Sequence, residues 1–275
     1  MSTTYAVLGC GWLGLPLAQS FLKSGRHVRG SVRSDSAFKT LTDVGLEAHQ
    51  IRLYEDQIEG DIFRFLEGVS RLYITLPPGI RKNPNRNFVA VIAHLVPHII
   101  KHKVKEVVFT SSTGVFGATQ GIVTPNTTPV PDNESGRQLV AVEQLLLGQT
   151  SFLTQILRLG GLVDQDRHPV QSLARRNTIP EAQAPVNLIH RADAIGLLNH
   201  LPTKAPWQSV YHGVLPWHPS KKDFYNQAAR EFGLFPLSFS EVVGATNKIV
   251  TDERIQNELA YRFKEPQLGL KGWTE

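Results

Sequence analysis

The chain reads as α/β: a doubly wound parallel sheet with helices on both faces, followed by a smaller C-terminal α+β lobe. Three observations lead there. Strand-like apolar runs alternate with helical stretches through the first 160 residues, the rhythm of strand-helix-strand units. A glycine-rich turn, Gly9-Cys10-Gly11-Trp12-Leu13-Gly14, joins the first apolar run directly to the first helix. Beyond Gly160 the alternation loosens, and Asp164 to Pro185 is an irregular polar stretch containing several Arg and Pro.

Taken in order, Tyr5 to Leu8 is the first strand and Leu15 to Lys23 the first helix. Pro16 suits its first turn, where a missing N–H costs nothing, and Gly25 is placed to end it in a left-handed conformation. His27 to Val32 is the second strand and completes a unit of the expected length, about 30 residues. Ala48 to Leu53, Arg71 to Leu76, Glu106 to Thr110 and Thr154 to Leu159 follow, apolar runs suited to strands buried on both faces. Helices are expected at Asp61 to Glu67, Asn87 to Lys103 and Gly136 to Leu147, with Pro97 kinking the second by removing a backbone donor. Asn187 to His190 is a short strand, Ala194 to His200 a helix and Ser209 to Val214 a strand. Ser220 and Asp223 have capping-box spacing for a helix that runs to Phe232 and stops at Gly233. Lys248 to Val250 and a helix from Asp252 to Ala260 complete the chain. The division expected is residues 1–160 as a dinucleotide-binding domain and 161–275 as a substrate-binding lobe, with residues 186–200 returning to the first domain.

Composition narrows the class. Hydrophobic residues at 41% and charged residues at 19% describe a globular chain, not a disordered or fibrous one. No apolar run approaches the roughly 18 residues that span a bilayer, and the N-terminus lacks a signal-peptide pattern, so a soluble cytoplasmic protein with no membrane partner is expected. A single cysteine, Cys10, excludes an internal disulfide and a multi-cysteine metal site; no metal is expected. Within the glycine turn it reads as a small spacer. The net charge of +5 is spread along the chain, so nucleic acid is not the expected partner.

The glycine turn has the G-x-G-x-x-G spacing of a Rossmann-type pyrophosphate site. The first glycine makes the tight turn, the second admits the phosphate, and the third lets helix and strand pack closely. Gly9, Gly11, Trp12, Leu13 and Gly14 are therefore expected at the cofactor, where a helix N-terminus offers unpaired N–H groups. Arg33 follows the second strand, where an NAD site carries an acid and an NADP site an Arg for the 2′-phosphate. A guanidinium fork matches a phosphate dianion, so NADP is favoured over NAD, with Arg29 on the same strand. Two other readings stand: Arg33 as a solvated strand-end charge, and Asp35 as a ribose-binding acid. Ligands of open α/β sheets sit beyond the carboxyl ends of the strands, which adds Leu76, Pro77, Thr110 and Ser111 to the cofactor set.

The glycine turn, Phe109 to Gly117, Leu157 to Gly161 with Arg167-His168-Pro169, and Ile189 to Asp193 together resemble the extended short-chain dehydrogenase/reductases, or NAD-dependent epimerase/dehydratases. The chain is most similar to an atypical bacterial subgroup of them. The resemblance covers nearly all 275 residues. It implies an NADP-binding Rossmann domain, a lobe that closes over a small-molecule substrate such as a nucleotide-sugar, and a homodimer through the helices at Asn87 to Lys103 and Gly136 to Leu147.

It also exposes a gap. The family's strand-end serine falls on Ser112, which also reads as a turn-forming serine. Its Tyr-x-x-x-Lys pair falls on Ser135 and Leu139, a register supported by Glu143. No other tyrosine restores the motif: four residues after Tyr5, Tyr54, Tyr73, Tyr211, Tyr225 and Tyr261 stand Gly9, Ile58, Pro77, Leu215, Ala229 and Glu265. An alkyl hydroxyl is far too weak an acid to replace the tyrosine, and Leu139 can neither carry charge nor bond ribose. Arg137, which could stabilise an oxyanion, and His190, which titrates near neutrality, are the candidate substitutes. Two functions follow: an NADP-dependent oxidoreductase or epimerase with another proton donor, or a non-catalytic NADP(H) sensor. Glu134 reads as an acid at the helix N-cap.

Overall fold

Apolar strands that must hide both faces assemble here into one sheet. The computed structural model, which describes residues 4–203, 209–240, 246–265 and 268, contains β1 (Thr4–Leu8), β2 (His27–Val32), β3 (Glu47–Gln50), β4 (Val69–Ile74), β5 (Glu106–Ser112), β6 (Leu153–Leu159) and β7 (Val210–Gly213). The strands are ordered β7-β6-β5-β4-β1-β2-β3. Every pair from β3 across to β5 is parallel. From β1 the chain first builds outward through β2 to β3, then returns to build the other way from β4. The order therefore switches direction between β1 and β4, the place where open α/β sheets bind ligands. This is the Rossmann-type doubly wound fold expected.

Five helices accompany these strands: α1 (Gly14–Lys23), α2 (Asp35–Asp43), α3 (Ile62–Leu66), α4 (Phe88–Lys101) and α5 (Glu134–Leu147). α2 has no counterpart in the sequence reading, because Leu41 is its one buried residue and leaves too thin an apolar stripe to recognise. α4 runs through Pro97; that proline and Ala93, whose carbonyl it cannot serve, are both exposed, so water can take the bond. Gly25 and Gly233 adopt φ of +77° and +65°, as their helix-ending roles require. The helix expected from Asp252 to Ala260 is shorter, Glu253–Asn257, and Ala260 already stands at φ +48°. No helix among the described residues is long and apolar enough to cross a membrane.

The chain divides into two compact units. The first comprises Met1–Ser111, Asn133–Leu157 and Leu201–Val210. Within it a buried polar seam crosses three adjacent strands: Arg71 of β4, 2% exposed, meets Glu106 of β5 at 3.3 Å and Gln155 of β6 at 2.5 Å. It also donates to the carbonyls of Leu201 and Pro202, both at 3.3 Å. A buried guanidinium is tolerable when it is paired and hydrogen-bonded; both Nη atoms are bonded here, while Nε meets Glu106 as an ion pair with no hydrogen bond among the described residues.

The second unit comprises Ser112–Asp132, Arg158–His200 and Tyr211–Glu275. It pairs Gly161–Val163 with Leu188–His190 and Ile122–Val123 with Ile249–Val250, both parallel. Its helices are α6 (Val170–Leu173), α7 (Arg191–His200), α8 (Lys221–Glu231) and α9 (Glu253–Asn257). Ser220 caps α8 by accepting from the Asp223 amide at 3.0 Å. Asp193 of α7 is fully buried and accepts from Tyr261 Oη at 2.8 Å and from the amides of Lys264 and Glu265 at 2.7 and 3.0 Å. One carboxylate thus ties residues 261–265 to the unit.

His168, 5% exposed, packs among Phe224, Tyr225 and Phe232. Its Nδ1 accepts from the Val170 amide at 3.2 Å, which puts the proton of the neutral ring on Nε2. Burial pushes its pKa down to about 4. The unfolded ring protonates near 6.5, so the folded state is favoured above that pH and loses the advantage as pH falls toward 4. Denaturant melts should show stability dropping by about 3 kcal/mol across this window from His168. His168→Phe should flatten that part of the curve, leaving the share contributed by His212, which burial shifts the same way.

Candidate functional site

The first unit holds the glycine turn rigidly from two neighbouring strands. The Gly9 amide donates to Ser31 Oγ at 3.0 Å and the Cys10 amide to the Ser31 carbonyl at 2.7 Å. Thr75, just past β4, donates its hydroxyl to the Gly9 carbonyl at 2.8 Å. Gly9 sits at φ +103°, a conformation L side chains rarely adopt. A Cβ on Gly14 would lie 2.3 Å from the Gly9 carbonyl oxygen, so only glycine lets α1 approach. Gly11 differs: it is exposed, and a Cβ there would meet nothing within 4 Å. The open space at Gly11 is unnecessary for packing and is what a pyrophosphate requires. Leu13 gives α1 no side-chain cap, whereas Ser34, Asp61, Asn87 and Asn133 cap α2 to α5. The residues present therefore fit a dinucleotide. Trp12 is half-buried beside the turn.

Cys10 is the inert spacer expected: burial pushes its thiol up to about 12. Leu76 packs against the turn, with Cδ2 2.7 Å from a Cβ placed on Gly9, and Pro77 is exposed. Thr110 donates to the Ile74 carbonyl at 3.1 Å, and Ser111 is buried with its Oγ unbonded among the described residues. At the end of β2, Arg33 is exposed while its carbonyl accepts from Gln50 Nε2 at 3.2 Å and Arg52 Nε at 2.9 Å. Gln50 also donates to Asp35 Oδ1 at 3.0 Å. Arg29 is turned to structural work, pairing with Glu47 at 3.0 Å and donating to the carbonyls of Phe65 and Glu67.

The residues proposed for chemistry divide between the units. In the first, Ser135 is half-buried in the opening turn of α5, and Leu139 is buried at 4% exposure. Arg137 is exposed and paired with Glu134 at 2.9 Å. Asn133, not Glu134, is the N-cap, accepting from the Gly136 amide at 3.0 Å. Glu134 instead accepts from Gln138 and Arg137, bonds that hold its carboxyl below its ordinary pKa.

In the second unit, Ser112 Oγ accepts from the Gly114 amide at 3.1 Å, so it does cap a turn, yet its hydroxyl proton stays available. Lys248, unnoticed in the sequence, donates to the carbonyls of Thr113 and Phe116 at 3.2 and 2.8 Å, and burial lowers its pKa. His190 accepts from the Ala192 amide at 3.2 Å and stands 3.6 Å from Asp164, which pairs with Arg191 at 2.7 Å. Sequence reasoning also missed Ser31 and Thr75, whose hydroxyls brace the turn across strands far apart in the chain. Among the described residues no group of three or more His, Cys, Asp or Glu could hold a metal ion.

No protein-family model matches the chain. Protein YeeZ of Escherichia coli strain K12 is 34% identical over 264 residues, covering 95% of this chain and 96% of YeeZ. Three solved structures share its fold at a TM-score of 0.78. A conserved protein of unknown function from Silicibacter pomeroyi DSS is 22% identical, with 98% of this chain and 97% of that one covered. MoeE5 in complex with UDP-glucuronic acid and NAD is 19% identical, with the same coverage. UDP-N-acetylglucosamine 4-epimerase from Bacillus cereus is 14% identical, covering 98% and 96%. The fold is thus that of the epimerases and dehydratases the sequence resembles.

The two glycines should respond differently to one methyl group. Gly11→Ala should leave thermal stability nearly unchanged while abolishing dinucleotide binding in a calorimetric titration. Gly14→Ala should lose both, with a stability cost of about 1–3 kcal/mol from overpacking.

Proposed function

This chain belongs to the family of the Escherichia coli protein YeeZ, and from that premise we propose that it binds NADP(H) and carries out oxidoreductase or epimerase-like chemistry on a nucleotide-sugar or related carbonyl compound. The observation that carries the reading is the rigid turn from Gly9 to Gly14 with open space at Gly11. Gly9, Gly11, Trp12, Leu13 and Gly14 hold the pyrophosphate; Leu76, Pro77, Thr110 and Ser111 complete the cofactor set. When bound, the nicotinamide supplies a hydride donor or acceptor. Ser112 offers its unengaged hydroxyl proton to polarise a substrate carbonyl. Ser135 reaches a substrate oxygen only through water, being shorter than tyrosine by a ring, and Arg137 stabilises developing negative charge. A substrate of the nucleotide-sugar class is in keeping with the UDP-glucuronic acid named with MoeE5. The protein works in the cytoplasm, as a homodimer through α4 and α5.

NADP is preferred over NAD because, among the described residues, the Arg33 guanidinium makes none of the ion pairs that engage Arg29 and Arg52. Asp35 is the competing group, and its Oδ1 is already bonded by Gln50. Arg33→Ala should weaken NADPH about tenfold and NADH hardly at all, in keeping with the loss of a charge-assisted phosphate contact. Equal weakening of both, read by fluorescence titration, would remove the preference.

A second reading, a non-catalytic NADP(H) sensor, is favoured by Leu139, whose side chain is packed into the core at the position the family gives to lysine. Restoring the pair with Ser135→Tyr and Leu139→Lys separates the two. A gain of NADPH oxidation with nucleotide-sugar carbonyl substrates would mean that the remaining site is built for chemistry. A folded double variant that binds NADPH and stays inert, alongside an inert wild type, favours the sensor. For an active wild type, turnover should survive Ser135→Ala and fall with Ser112→Ala.

A further inference from the structure

We infer that Arg86, on the loop beyond β4, is a second cation of the coenzyme site and closes with Arg33 on a single dianionic phosphate ester. The inference rests on the NADP(H) reading above and names a specificity residue outside the glycine turn and the strand ends. Residues 79–86 fold back on themselves. Gly79 stands at φ +77°, its carbonyl accepts from the amides of Lys82 and Asn83 at 3.1 and 3.2 Å, and the Arg86 amide donates to Asn83 at 3.1 Å. The Arg86 side chain consequently folds back over the start of the loop: its Nη1 lies 2.6 Å from a Cβ placed on Gly79. Gln138 of α5 clamps the backbone there, donating to the Arg86 carbonyl at 3.0 Å and accepting from the Phe88 amide at 2.7 Å.

A short hairpin, Arg52–Leu53 with Ile58–Glu59, laces this loop to the end of β2. Arg52 Nε donates to the Arg33 carbonyl at 2.9 Å, and Glu55 accepts from the amide of Asn87, next to Arg86, at 2.7 Å. The two arginines are therefore held to one small scaffold. Their charges feel each other: burial first, and then the Arg33 charge, depresses the Arg86 guanidinium, with Glu55 acting in opposition. Among the described residues neither guanidinium makes an ion pair, whereas Arg29 pairs with Glu47 and Arg52 with Glu59. Two like charges brought together, one of them half-buried, are costly without an anion between them. A ribose 2′-phosphate carries nearly two negative charges at neutral pH and offers three acceptor oxygens, enough for two guanidinium forks.

Calorimetric titration of the full chain with 2′,5′-ADP, 5′-AMP, NADPH and NADH tests this. Arg86→Ala should weaken 2′,5′-ADP and NADPH about tenfold while 5′-AMP and NADH stay within about twofold, and Arg86→Lys, which keeps the charge without the fork, should fall between. Selective weakening by Arg33→Ala with no such effect of Arg86→Ala and Arg86→Lys, both folded by circular dichroism, overturns the role of Arg86 and leaves the NADP(H) reading standing. A wild type that binds 5′-AMP as well as 2′,5′-ADP overturns both. If Arg86→Ala alone fails to fold, the Arg86→Lys titration decides by the same criterion.

Discussion

The Gly9 carbonyl and the Gly14 backbone approach so closely that a single methyl group would not fit between them. That approach aims α1 at the switch point of the sheet. It also fixes the strand ends around it, since the hydroxyl of Thr75 must reach the same carbonyl and the hydroxyl of Ser31 the amide behind it. Three parallel strands, β2, β1 and β4, thus meet at one peptide turn. Rigid packing on one side of the turn and open space on the other are two results of one backbone path. The first stabilises the fold, and the second leaves room for an anion.

Polar burial elsewhere also depends on partners drawn from several segments. Arg71 in the first unit and Asp193 in the second are both almost wholly out of water, and each is met by several partners from segments distant in sequence. Such groups cost stability if any partner is lost, and so they enforce one arrangement of the segments that supply those partners. His168 is the contrasting case. Its aromatic surroundings tolerate only the neutral ring, which couples the stability of the second unit to acid.

On the function proposed above, binding and proton transfer make different demands of the chain. The turn from Gly9 to Gly14 is tightly packed at Gly14 and open at Gly11, while Leu139 lies in the apolar core and Arg137 pairs with Glu134. Binding demands only that backbone groups and cations be held in place. Acid catalysis demands a proton whose pKa lies near the working pH, and neither the hydroxyl of Ser135 nor the side chain of Leu139 provides one.

The sequence by itself determined the strand-helix rhythm, the glycine turn and the capping of α8, because each depends on residues within a few positions of one another. Weakly patterned α2 left no local signal, having little apolar periodicity of its own, and the strand expected at Asn187 to His190 gave no sign that Gly161–Val163 would pair with it. Tertiary structure alone decided which arginine is engaged: Arg29 and Arg33 look alike in the sequence, and the position of Glu47 on β3 and the carbonyls around α3 engage the first. It alone brought Ser31 and Thr75 to the glycine turn, since the hydrogen bonds that place them close over tens of residues. Local preference is written along the chain, whereas the partner of a charge depends on which distant segments the core brings together.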